Sequence, residues 1–91
     1  MITWDENKRR TNIAKHGIDF NGAETIFDYP MLTREDEREY DTGEQRLQSL
    51  ALLDGRIVFV VWVERATGAH IISIRKAERH EQKIYLQATG Q

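Results

Sequence analysis

The feature that most constrains this chain is the dipeptide Asp54-Gly55, set between two alternating runs, Arg46–Leu53 and Arg56–Arg65. Asp-Gly accepts left-handed backbone at both central positions of a two-residue turn, so the two runs are expected to fold back on each other as antiparallel strands. A second turn at Thr67-Gly68 returns the chain through residues 70–75, giving a meander.

Two-residue loops fix which side chains share a face. Across the first turn Leu53 opposes Arg56, Ser49 opposes Val60, and Leu47 opposes Trp62. Across the second, Ala66 opposes Ala69, Glu64 opposes Ile71, Trp62 opposes Ser73, and Val60 opposes Arg75. One face then carries Leu50, Leu52, Ile57, Phe59, Val61, Val63, Ile72 and Ile74, the expected core. Burial of each such side chain contributes roughly 1.5–3 kcal/mol. The other face carries Ser49, Val60, Trp62, Glu64, Ser73 and Arg75 among apolar neighbours. Its mixture of hydroxyl, aromatic and charged groups marks it as the expected binding surface.

Before the meander, Ile2-Thr3-Trp4 reads as a short extended segment. Asp5 caps a helix that runs to about Lys15, and Gly17 provides its left-handed exit. Asp19 is placed to cap a second helix, with Phe20, Ala23, Ile26 and Phe27 as its apolar stripe and Pro30 beyond its end. Residues 31–40 read as an edge strand or a loop. After the meander, Ala77, Glu81 (by its stem only), Ile84, Tyr85 and Ala88 follow helical spacing. The expected fold class is α+β in one domain spanning residues 1–91: two N-terminal helices, an antiparallel β-meander sheet and a C-terminal helix.

Composition narrows the function. The chain has 91 residues, enough for one core. With no cysteine, disulfides and thiolate zinc sites are excluded. His16, His70 and His80 lack metal-ligand spacing, so no metal and no cofactor is expected. No apolar run is long enough for a membrane span, and the charged start gives no signal-peptide pattern; a cytoplasmic protein is the expectation. The net charge of −2 is unevenly spread. Residues 1–20 carry four Lys/Arg against three acids, residues 21–55 three against nine, and residues 56–91 six against three. A polyanion would meet the basic ends, while the acidic middle would meet water or a basic partner.

Specific blocks add to this. Trp4-Asp5, Lys8, Asn12 and Lys15-His16-Gly17-Ile18 precede Phe20, Ala23 and Phe27. Gly43-Glu44 and Arg46 come next, then Ile71-Ile72-Ser73-Ile74-Arg75-Lys76-Ala77 with Glu81 and Tyr85. Together they resemble the BrnT ribonuclease toxins of type II toxin–antitoxin systems over nearly the whole chain. Two positions depart from that pattern: His70 stands where an arginine is usual, and Ile74 replaces a common alanine. The resemblance implies a RelE-like fold and RNA cleavage that inhibits translation. It also implies neutralisation by a BrnA-like ribbon-helix-helix antitoxin, with operator DNA met only through that partner. The competing reading is a non-catalytic protein-binding module or co-repressor partner.

Metal-independent RNA cleavage needs activation of the ribose 2′-OH, stabilisation of charge on the phosphate and protonation of the leaving group. Arginine suits the second task, because its planar fork donates to two phosphate oxygens and stays charged. Arg65 and Arg75, at strand ends, are the expected charge stabilisers, with Glu64 as a base beside them. The strand end bearing Arg75-Lys76 is expected to lie beside the end bearing Glu64-Arg65. Lys8 and Lys15, seven residues apart on the first helix, and Lys76 and Arg79 near the last, are the expected RNA-backbone contacts. His16 fits a helix C-terminal role. His80 fits a solvated position, and Tyr85 a core position with a polar tip.

Overall fold

A computed structural model describes residues 1–37 and 43–90. The first hairpin forms as its turn requires: Asp54 has φ 51° and Gly55 φ 76°. Strands β3 (Arg46–Leu53) and β4 (Arg56–Arg65) pair in the expected register, with Leu53 opposite Arg56, Ser49 opposite Val60 and Leu47 opposite Trp62. Strand β5 (Gly68–Lys76) follows antiparallel to β4. Strand β2 (Leu32–Glu35) pairs on the other side of β3, so part of residues 31–40 is indeed an edge strand. The remainder of that stretch falls partly outside the described residues.

The extended start, Ile2–Trp4, is strand β1, and it lies parallel to β5 at Ala69, His70 and Ile71. The sheet is therefore five-stranded and mixed, in the order β1-β5-β4-β3-β2, which corrects the expected antiparallel meander. The expectation of two N-terminal helices is corrected as well. Helix α1 (Glu6–His16) forms, capped by Asp5, whose side chain accepts from the Asn7 and Lys8 amides, and it ends at left-handed Gly17. The second stretch is only a short 3-10 helix, Ala23–Asp28. Its intended cap is diverted, because the Asp19 carboxylate takes Arg9 at 2.8 and 3.1 Å and closes a tight turn onto the Asn21 amide. Gly22, at φ 88°, then breaks the helical path. The C-terminal helix, α2 (Arg79–Thr89), has a capping box in which Glu78 and Glu81 each accept the other's backbone amide.

The core lies on the face read as open. Ala51, Leu53, Val58, Val60, Ile71 and Ile74 bury against Ile18, Phe20, Ala23 and Ile26. Trp62 is covered there by Phe27, ring to ring at 5.4 Å. Ser49, which gives this face its polar look, is 1% exposed; it accepts from Trp62 Nε1 at 2.9 Å and is hydrogen-bonded to the Thr33 hydroxyl at 2.8 Å. A smaller cluster on the second face packs Leu50, Leu52, Ile57 and Phe59 with Ala77 and Tyr85. The Tyr85 hydroxyl donates to the Pro30 carbonyl at 2.7 Å.

Arg75 also changes sides. The β4–β5 register shifts between Val61 and Trp62: Trp62 opposes Ile71, whereas Val61 opposes Ser73 and Phe59 opposes Arg75. Ile72 is the extra residue of a bulge, and a bulge re-aims everything after it. Arg75 therefore lies over the Phe59 ring, at 4.2 Å, on the second face.

Candidate nucleic-acid interface

Along a strand, alternate residues share a face, so the register lays out the second face in rows. Thr3, His70, Val63 and Arg46 form one row across β1, β5, β4 and β3. Ser73, Val61, Gln48 and Arg34 form the next, with Arg34 Nε donating to Gln48 at 2.8 Å. Arg75, Phe59, Leu50 and Leu32 form the third. Helix α2 sits on the third row. Among the described residues no helix covers the first two, which form an open half-face: Thr3 and Arg34 are exposed, Arg46, Gln48, His70 and Ser73 half-buried, and Val61 and Val63 between them buried.

Two guanidinium–carboxylate pairs frame it. At one end Arg65 donates Nε and Nη2 to Glu44 at 2.9 and 3.0 Å, with Nη1 unengaged among the described residues. At the other, Arg75 donates Nη1 and Nη2 to Glu81 at 2.8 and 3.0 Å. Each pair holds its carboxylate below the usual range and its guanidinium above, the direct hydrogen bond being the main cause. The expected single cluster does not form. Because β4 runs antiparallel to β5, Arg75 lies opposite Phe59, six residues from Arg65, or about 20 Å along the strand. Glu64 neighbours Arg65 in sequence but points to the first face and is exposed. Lys76 and Arg79, both exposed, flank the α2 end of the sheet.

Lys8 and Lys15 border a groove of about 390 Å³ between α1 and the bulge at Ile72-Ser73, with Thr11 and His16. Asn12 forms its floor and holds it together. Its Nδ2 donates to the carbonyls of Ile74 and Ile18 at 2.8 and 2.9 Å, and its Oδ1 accepts from the Ile74 amide at 3.0 Å. The side chain stands in for a neighbouring strand at the part of β5 that extends past β1. Ser73 joins this groove to the open half-face.

Thr3, Glu44, His70 and Glu81 were not on the expected site. Thr3 Oγ1 and His70 Nδ1 lie 2.8 Å apart, a contact that depends on pairing residues 67 positions apart. The one local hint of the new geometry is the spacing of buried β5 residues, Ala69, Ile71 and then Ile74, which changes from two to three at the bulge.

A family model described as the ribonuclease toxin BrnT of type II toxin–antitoxin systems matches residues 4–81. The chain belongs to this family. The match begins at Trp4, the last residue of β1, and ends at Glu81, so it includes both framing ion pairs, the α1 groove and the open half-face apart from Thr3. No curated protein matches the chain. Among the described residues no helix is long and apolar enough to cross a membrane.

Proposed function

We propose that this BrnT-family toxin cleaves RNA without a metal on the open half-face, and that this cleavage inhibits translation in the cytoplasm. The observation that carries the reading is the placement of Arg34, Arg46, Arg65 and Arg75 on one face, the last two oriented by bound carboxylates at either end. A phosphate backbone crossing this face meets fixed, charged forks, and preorganised donors stabilise the charge that develops during in-line attack. Lys8 and Lys15 extend the track along the α1 groove, and Lys76 and Arg79 extend it past α2. Glu44 and Glu81 are engaged as orienting partners, which supports acid–base rather than carboxylate-bound metal chemistry. A BrnA-like ribbon-helix-helix antitoxin neutralises the toxin and is its only link to operator DNA.

Purified protein with a defined RNA tests this reading. Cleavage should persist with EDTA, and Arg65→Ala should lower it by about 10²-fold, the typical cost of losing one charge-stabilising donor. Cleavage that requires added divalent metal contradicts metal independence. Absence of any cleavage contradicts the enzyme reading. Co-expression with the neighbouring antitoxin gene should give a stable complex and relieve growth arrest; separate elution with persistent arrest contradicts the partnership.

A further inference from the structure

RNA cleavage by the 2′-OH needs a group that removes its proton, and among the described residues the open half-face offers one good candidate. Glu44 and Glu81 are tied up by arginines, which makes them weak bases. Glu64 points to the other face. His70 lies in the first row, half-buried, between Thr3 and Val63. Its Nδ1 is engaged by the Thr3 hydroxyl, whereas Nε2 has no partner among the described residues. When Nδ1–H donates to Thr3 Oγ1, Nε2 carries the lone pair, and the ring cannot swing without breaking that bond.

Given the RNA-cleaving reading above, on which this rests, we propose that His70 is the general base and Thr3 its positioning residue. His70 Nε2 takes the 2′-OH proton as the O2′–P bond forms and the P–O5′ bond breaks. The departing 5′ oxygen takes a proton from water, and the hydroxide so formed is neutralised by the imidazolium. The products are a 2′,3′-cyclic phosphate and a 5′-hydroxyl, with no net proton change. Arg65, three rows along the face from Arg75 and diagonal to His70, is the guanidinium placed to hold the same phosphate.

The surroundings keep the base in its working form. Burial lowers the His70 pKa from the ordinary 6.5; Arg65 and Lys8 lower it further, while Glu44 and Asp5 oppose them. The imidazole is thus neutral at pH 7.

The test is the pH dependence of kcat/KM on a defined RNA for native protein, His70→Gln and Thr3→Val. Circular dichroism checks the fold, and an RNA with 2′-deoxyribose at the cleaved position reports binding. Native kcat/KM should rise with pH to a plateau through an inflection below 6.5. His70→Gln should bind the deoxy RNA normally, lose about 10²–10⁴-fold in rate and lose the inflection. Thr3→Val should lower the plateau and keep an inflection. If His70→Gln does not fold, the His70 ring followed by NMR in native protein decides: it must titrate at the pH of the kinetic inflection. A His70→Gln protein with native rate and profile, or a ring titration that misses the inflection, overturns the assignment of His70 alone. Native protein that binds RNA but cleaves it at no pH overturns the ribonuclease reading, and this assignment with it.

Discussion

Replacing Asn12 with alanine would remove the side chain that ties α1 to the sheet. Asn12 is 4% exposed and makes three hydrogen bonds, to both backbone groups of Ile74 and to the Ile18 carbonyl. Each backbone group left unpaired costs about 1–3 kcal/mol where water does not replace the bond. The edge of β5 is near solvent, so water recovers part of the loss, and the net cost is roughly 3–6 kcal/mol. That is a large share of the ~5–15 kcal/mol that holds a typical domain together. Even the lower figure moves Tm down by about 12–24 °C in a domain of this size. Asn12→Asp should not rescue, because it keeps an acceptor for the Ile74 amide but sets a carboxylate against two carbonyl oxygens. Urea and thermal unfolding followed by circular dichroism measure all three proteins. An Asn12→Ala variant within about 1 kcal/mol of native would refute the reasoning, since surface-like substitutions fall in that range.

Three other perturbations probe the same framework. Gly68 has φ 124°, and a Cβ there would collide with the Met1 carbonyl oxygen; Gly68→Ala should release β1, seen as faster hydrogen exchange at the Ile2–Trp4 amides, with unchanged exchange as the contrary result. Glu81 titrates below its ordinary 4.5 because of Arg75, so its stabilisation is fully present above 4.5 and is lost as pH falls through the lower folded value. Glu81→Gln should therefore be less stable at neutral pH and lose less stability on acidification; parallel pH profiles for the two proteins would contradict the pairing. Finally, Lys8→Ala with Lys15→Ala should weaken RNA binding and reduce the slope of log K against log salt by about 1.4, or ~0.7 per lost phosphate contact on a single strand. An unchanged slope would place the RNA elsewhere.

The local elements were legible because local chemistry specifies them. Asp54-Gly55 set one hairpin and its register, and Asp5 with Gly17 set α1. The faces were harder. Ser49 and Trp62 looked like surface groups, yet they satisfy each other and Thr33 within the core, so polarity did not mean exposure. The bulge at Ile72 contains no glycine and has no turn signature; it reversed the side of Arg75 without altering the strand's extent. Arg65 and Arg75 were identified as cations of interest, but the antiparallel course of β4 and β5 sets them at opposite ends of the face. The Thr3–His70 pair depended on a three-residue parallel strand whose partner is far along the chain, and nothing near residue 3 encodes that pairing. Glu81 looked like part of an apolar stripe, because its role appears only when the strand-to-helix turn brings it over Arg75.

The central claim is that RNA lies on the open half of the second face. The most direct measurement is an NMR map of the chain on titration with a short RNA made uncleavable by 2′-deoxy substitution. Shifts should concentrate at Thr3, Arg46, His70 and Ser73 and extend to Lys8 and Lys15, with Phe27 and the Trp62 indole unmoved. A map centred on Phe27, Trp62 and the 3-10 helix, with His70 and Ser73 unchanged, would contradict the account.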